Sequence, residues 1–217
     1  MKGFVFSLAL PHSGRRSPDI RGFLRRYGLY VWFAAMLLAG LVLGVVYARN
    51  ADEDTLRSLD FLFTTNLDAR LSQSAFGTFS ACFASDFLFL LCACLFGAAA
   101  WGIPFLSALV CFKGFGTGVT SGWLCLSHEL GGAGFYLLVL LPGTFLFCVA
   151  LVRFSGSAFG FSAQLFRRFI GREQPSVAPR RELMQLASRF VSALCLTFIA
   201  SVLDTLLWTL FAGTFHF

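Results

Sequence analysis

Apolar residues come in long blocks along this chain, and the polar residues between them are short and uneven. Blocks at about 28–48, 81–100, 104–127, 134–166 and 190–212 are each long enough to cross roughly 30 Å of hydrocarbon as a helix. The fold class expected is therefore all-α, a polytopic membrane helix bundle of about five spans. The fourth block is too long for one simple crossing and contains Pro142 and Gly143, which should kink or split it. Pro104 opens the third block, where a helix's first turn loses nothing by its missing N–H. Ser127-His128-Glu129 and Gly131-Gly132 read as the turn between the third and fourth spans. A different rhythm runs through 49–80. There Leu56, Leu59, Phe63, Leu67 and Leu71 recur at spacings of three and four, one face of an amphipathic helix. It would lie at the outer surface or on the bundle, packing there or offering a docking surface for a partner.

Composition agrees with this pattern. Of 217 residues, 57% are hydrophobic and 13% charged, about half the charge of a soluble domain. The net charge of +6 is concentrated rather than spread. Lys2, Arg15, Arg16, Arg21, Arg25 and Arg26 stand in a tail spanning 1–26, ahead of a membrane domain at 27–217. Arg167, Arg168, Arg172, Arg180, Arg181 and Arg189 fall in the last connection, where Pro175 and Pro179 should break any helix. Asp52, Glu53, Asp54, Asp60 and Asp68 lie in the first connection. Five spans put the two basic blocks on one side and the acidic loop on the other. The positive-inside rule makes the basic side cytosolic, so the N-terminus is expected inside and the C-terminus outside. Basic residues beside spans point to anionic lipid rather than nucleic acid.

The third span carries the densest pattern. Gly114, Gly118 and Gly122 share one helix face, and Gly40 and Gly44 form a shorter stripe in the first span. Small residues at this spacing let membrane helices approach closely, where lipid offers no hydrophobic incentive to associate. Lys113 sits beside that stripe, and Asp86 and Asp204 are the other charges inside spans two and five. Lys113 falls roughly 14 Å from the inner surface and Asp86 about 8 Å below the outer one, with Asp204 at a similar outer depth. A lysine can snorkel across such a gap, so pairing with either aspartate is allowed. An ion or proton pathway is the alternative, and one Lys with two Asp makes a poor relay.

Candidate chemistry is sparse. Seven cysteines, Cys82, Cys92, Cys94, Cys111, Cys125, Cys148 and Cys195, fall in or beside apolar runs without metal-ligand spacing. They read as small apolar packing residues, with no disulfide or zinc site implied. Ser121 has no buried His near it, and no catalytic carboxylate pair or P-loop occurs. Neither an enzyme nor a cofactor is expected.

The stretch Gly102–Gly122, G-I-P-F-L-S-A-L-V-C-F-K-G-F-G-T-G-V-T-S-G, resembles the core motif of the stage II sporulation protein M family. Its most specific part is Pro104…Lys113-Gly114…Gly118. A later stretch, with Leu140-Leu141-Pro142 and Phe147-Cys148-Val149-Ala150, resembles the family too. The resemblance implies a non-enzymatic, multi-span membrane scaffold of forespore engulfment. Its implied partners are peptidoglycan-degrading proteins resembling the stage II sporulation proteins D and P, and a homo-oligomer is left open. The competing reading is a permease subunit or small-solute or ion transporter.

Overall fold

The computed structural model describes residues 20–50, 74–170 and 179–211, with side chains for 27–50, 74–126, 131–170 and 181–211. The outer amphipathic helix expected at Asp54–Leu71, most of the basic N-terminal tail and the C-terminal tail lie outside the described residues. Among the described residues five α-helices form the bundle: α1 (Ile20–Asn50), α2 (Ala75–Ala98), α3 (Gly102–Phe135), α4 (Leu141–Phe169) and α5 (Pro179–Phe211). No strand occurs among the described residues. Each helix carries a segment long and apolar enough to cross a membrane.

Local chemistry explains the helix ends. Ser74 caps α2, its Oγ accepting from the Gly77 N–H at 3.2 Å. Ala99 leaves α2 in extended conformation, and its carbonyl accepts from the Gly102 N–H. Ser162 of α4 donates to that same carbonyl at 2.6 Å, tying the α2–α3 turn to the bundle. Pro104 sits in the first turn of α3. A π-helical turn, Tyr136–Leu140, precedes Pro142, and the Leu141 N–H bonds to the Tyr136 carbonyl. The chain absorbs the missing proline N–H by widening one turn rather than by splitting the span.

Two expectations about the form of the connections are corrected. The chain reverses at Ser127–Gly132 as expected, but the residues on either side of the reversal keep helical backbone as far as Phe135, with no irregular loop between them. Lys113 meets Phe147, and Leu124 clusters with Phe135, so α3 and the following span run antiparallel. Helical hydrogen bonds satisfy the backbone of a reversal placed close to hydrocarbon. The second correction concerns 167–189. Arg167 and Arg168 lie on α4, Arg181 and Arg189 lie on α5, and Pro179 opens α5 instead of breaking it. Arg168 closes the ends of α4 and α5, its Nη2 donating to both carboxylate oxygens of Glu182 at 2.7 Å.

Packing follows an alternating up–down order. α4 touches every other helix and carries the centre of the core, with Phe147, Leu151, Phe154 and Ala158 buried against Phe33, Leu90, Leu106 and Val110. A smaller cluster at the opposite end sets Phe135 edge-on to Trp208, centroids 5.5 Å apart. α1 attaches chiefly to α3, and the two run parallel. Gly114 and Gly118 lie against the carbonyls of Leu37 and Leu41, while Gly40 and Gly44 lie against those of Cys111 and Phe115. A Cβ at Gly122 would stand 2.9 Å from the Ala48 Cβ. Two glycine faces thus interlock at backbone contact, the geometry of weak Cα–H···O bonds.

This interface predicts a graded response. Gly118→Ala should cost about 1–3 kcal/mol through overpacking, and Gly118→Leu more. Leu43→Ala, on the exposed face of α1, should stay within roughly 0.5 kcal/mol. Thermal unfolding in detergent would separate them, and equal behaviour of all three would show that the glycine faces do not hold α1.

Candidate functional site: an intramembrane ion pair and its cavity

Charge inside a bilayer requires a partner, and the bundle supplies one near mid-depth. Lys113 Nζ lies 2.7 Å from Asp86 Oδ1, with the two side chains 12% and 16% exposed. Both helices begin earlier than the apolar blocks suggested. Asp86 is eleven residues into α2 and Lys113 eleven past Gly102, so each lies roughly 17 Å along its helix. The pair therefore meets with no long snorkel. The ammonium is also flanked by two rings, its nitrogen 4.8 Å from the Phe89 centroid and 4.7 Å from that of Phe147. Such faces favour a cation and keep competing water away.

Asp204 sits elsewhere in the same cavity and is 7% exposed. It accepts from the Cys82 thiol at 3.2 Å. Cys82 is one turn before Asp86 on α2, so it does more than fill space. Gly143 gives Asp204 its room, since a Cβ there would stand 2.9 Å from the Asp204 Cβ. The Pro142–Gly143 region thus bounds the site as well as bending its span.

The cavity enclosed by these groups measures about 70 Å³, room for a few waters. Thr117, Thr120, Tyr136, Thr144 and Ser201 also line it. Several of these hydroxyls spend their proton on a carbonyl of their own helix: Thr117 on Lys113 at 3.0 Å, Thr144 on Leu140 at 2.8 Å, Ser201 on Thr197 at 3.1 Å. Their lone pairs remain as acceptors. With two carboxyl groups against one ammonium, the cavity is richer in acceptors than in donors.

Sequence reasoning named Lys113, Asp86 and Asp204 but missed Cys82, Thr117, Thr120, Tyr136, Thr144 and Ser201. A signal existed for most of them. Lys113, Thr117 and Thr120 stand at i, i+4 and i+7, as do Thr197, Ser201 and Asp204. A polar stripe at helical period inside an apolar span marks a face turned from lipid.

A multi-span helix bundle with a buried lysine–aspartate pair at its centre is the class of protein these features define. The family model of stage II sporulation protein M matches residues 33–207, which takes in most of the membrane-capable stretch of each helix and every residue lining the ion-pair cavity. The chain belongs to that family, and by that membership it is a sporulation-related, multi-pass membrane protein. No curated protein and no solved structure matches it.

Removing one partner of the pair strands a charge in a low-dielectric bundle, so Lys113→Met should cost on the order of 3–5 kcal/mol. Adding Asp86→Asn should recover much of that loss, whereas adding Asp204→Asn should not. A double-mutant cycle on thermal stability reads the difference directly. Strictly additive Lys113→Met and Asp86→Asn effects would mean the pair contributes no coupling.

Proposed function

We propose that this protein is a membrane scaffold, without catalysis of its own, that positions peptidoglycan-remodelling partners on the outer side of the membrane. The observation that carries the reading is the way its buried charge is met. The lysine is neutralised by one aspartate and flanked by two rings, and the cavity beside them has room for only a few waters. Backbone-tight packing of α1 on α3 likewise suits a platform that holds one shape. The family resemblance supplies the partner class, extracytoplasmic hydrolases resembling the stage II sporulation proteins D and P. The basic blocks favour a cytosolic N-terminus, and five spans would then leave the C-terminus outside.

A second reading rests on one observation, the acceptor-rich lining around Asp204. That chemistry would suit a proton or small cation moving along the bundle axis.

Three measurements separate these readings. Affinity purification from sporulating cells should bring down cell-wall hydrolases, and their absence would remove the scaffold reading. Proteoliposomes under a proton or cation gradient should show no flux above empty liposomes. Flux abolished by Asp204→Asn would establish the second reading instead. A periplasm-active reporter fused after Phe217 should be active, and a cytosol-active one silent. The reverse result would overturn the orientation.

A further inference from the structure

Two guanidinium groups stand on the outer surface of the bundle at a level where the aromatic residues of α1 mark the membrane boundary. Arg153 of α4 and Arg189 of α5 are both exposed and line one cleft of about 280 Å³, together with Ser157, Ser192 and Tyr30. Arg189 Nη1 donates to Ser157 Oγ at 2.8 Å, which holds it toward the cleft. Among the described residues no carboxylate pairs with either arginine. Lys113 is taken by Asp86, and Glu182, which lines the adjoining cleft, is taken by Arg168.

The depth of the cleft follows from its neighbours. Trp32 donates to Ser107 at 3.3 Å, and Ser107 is five residues past Gly102, so this level is about 8 Å along α3 from its start. Tyr30, beside Trp32, packs on Gly156 of α4. The cleft therefore lies at the edge of the hydrocarbon, on the side of the α2–α3 turn and the α4–α5 connection. A guanidinium facing lipid there is costly unless an anion meets it.

An apolar groove continues from the same point. It is about 410 Å³, runs between α1 and α4, and shares Tyr30 and Arg153 with the cleft. Ala34, Leu38 and Leu41 form one wall, and Phe145, Val149 and Val152 the other. Leu38 and Phe145 are 59% and 64% exposed, so the groove opens sideways to lipid. From Tyr30 to Leu41 is eleven residues, roughly 16 Å, the half-thickness of a bilayer core.

We propose that cleft and groove together form a binding site for one anionic glycerophospholipid of the cytosolic-side leaflet. Its phosphate is held by Arg153 and Arg189, and one acyl chain lies along α1 and α4. Arginine forks match phosphate oxygens in geometry, and basic pockets between spans take anionic headgroups. No described acidic group in the cleft is free to take a quaternary ammonium, so a choline lipid gains nothing beyond its chain. Bound lipid would bridge α1, α4 and α5 at the level where Tyr30 packs on Gly156 and Phe33 on Phe159, well before the glycine face begins at Gly40.

Native mass spectrometry of the full chain in detergent tests the assignment. The probes are phosphatidylglycerol, phosphatidylcholine with the same chains, and inorganic phosphate. Phosphatidylglycerol should be retained about tenfold or more over phosphatidylcholine. Arg153→Gln with Arg189→Gln should abolish the preference, and Arg153→Lys with Arg189→Lys should keep part of it. Arg181→Gln, a loss of one charge outside the cleft, should leave it intact. Val149→Trp should weaken retention of both lipids. Equal retention of the two lipids by the unaltered chain would overturn the proposal. So would a preference that survives the double glutamine variant. Displacement of the lipid by millimolar inorganic phosphate would reduce the site to a free-anion site and overturn the lipid assignment.

Discussion

A lysine ammonium buried at mid-depth constrains the packing of the whole bundle. Lys113 cannot face lipid without a large penalty, so α3 must turn that face to a carboxylate. The short turn at Ala99–Trp101 decides which one. Two helices joined by so tight a connection lie side by side, and residues equally far from the turn come level. Asp86 is twelve residues before the end of α2 and Lys113 eleven after the start of α3, so the two meet. Ser162 then pins the turn itself to α4. Once α2 and α3 are in register, Phe89 and Phe147 close over the ammonium, and α4 is drawn to the centre.

The remaining helices arrange themselves around that hairpin by different physics. α1 bears no charge that needs burial in its apolar stretch, and what holds it is backbone contact with α3 through glycines, together with Phe33 in the core. α5 joins through aromatic edges and the Arg168–Glu182 bridge, and it brings Asp204 into a gap that Gly143 leaves open. The widened turn at Tyr136–Leu140 lets α4 pass Pro142 without an exposed carbonyl in hydrocarbon. A neutralised interior lysine, a glycine-knit α1 and an arginine cleft facing lipid are compatible features. The proposed scaffold would need a fixed shape and a fixed seat in its membrane, and bound lipid would contribute to both.

Much of this was legible in the chain before any coordinates. Five apolar blocks and the separation of basic from acidic residues along the chain are one-dimensional properties. They follow from the length of hydrocarbon to be crossed and from the cost of charge within it. The stripe Gly114, Gly118, Gly122 could be placed on one face by helical period alone, as could the hydroxyls at 117 and 120 beside Lys113. Less legible were the connections. Ser127–Gly132 has the residues of a loop yet keeps helical backbone, because a reversal at the membrane edge must satisfy its own hydrogen bonds. The start of α2 at Ala75 was hidden by Ser74, Gly77 and Ser80, which dilute its hydrophobicity. Asp86 consequently seemed too shallow.

What the sequence by itself determined is the set of helices, their order and the charges that had to be buried. Tertiary structure alone decided the partners. It chose Asp86 over Asp204 for Lys113, set Cys82 against Asp204, laid the glycine face of α3 on α1, and brought Arg153 and Arg189 to one cleft. The physical reason is that a span's hydrophobicity is nearly the same whichever neighbour it takes. Lateral order in a bundle comes from small differences in shape, hydrogen bonding and charge between faces. Those differences exist only when the faces meet.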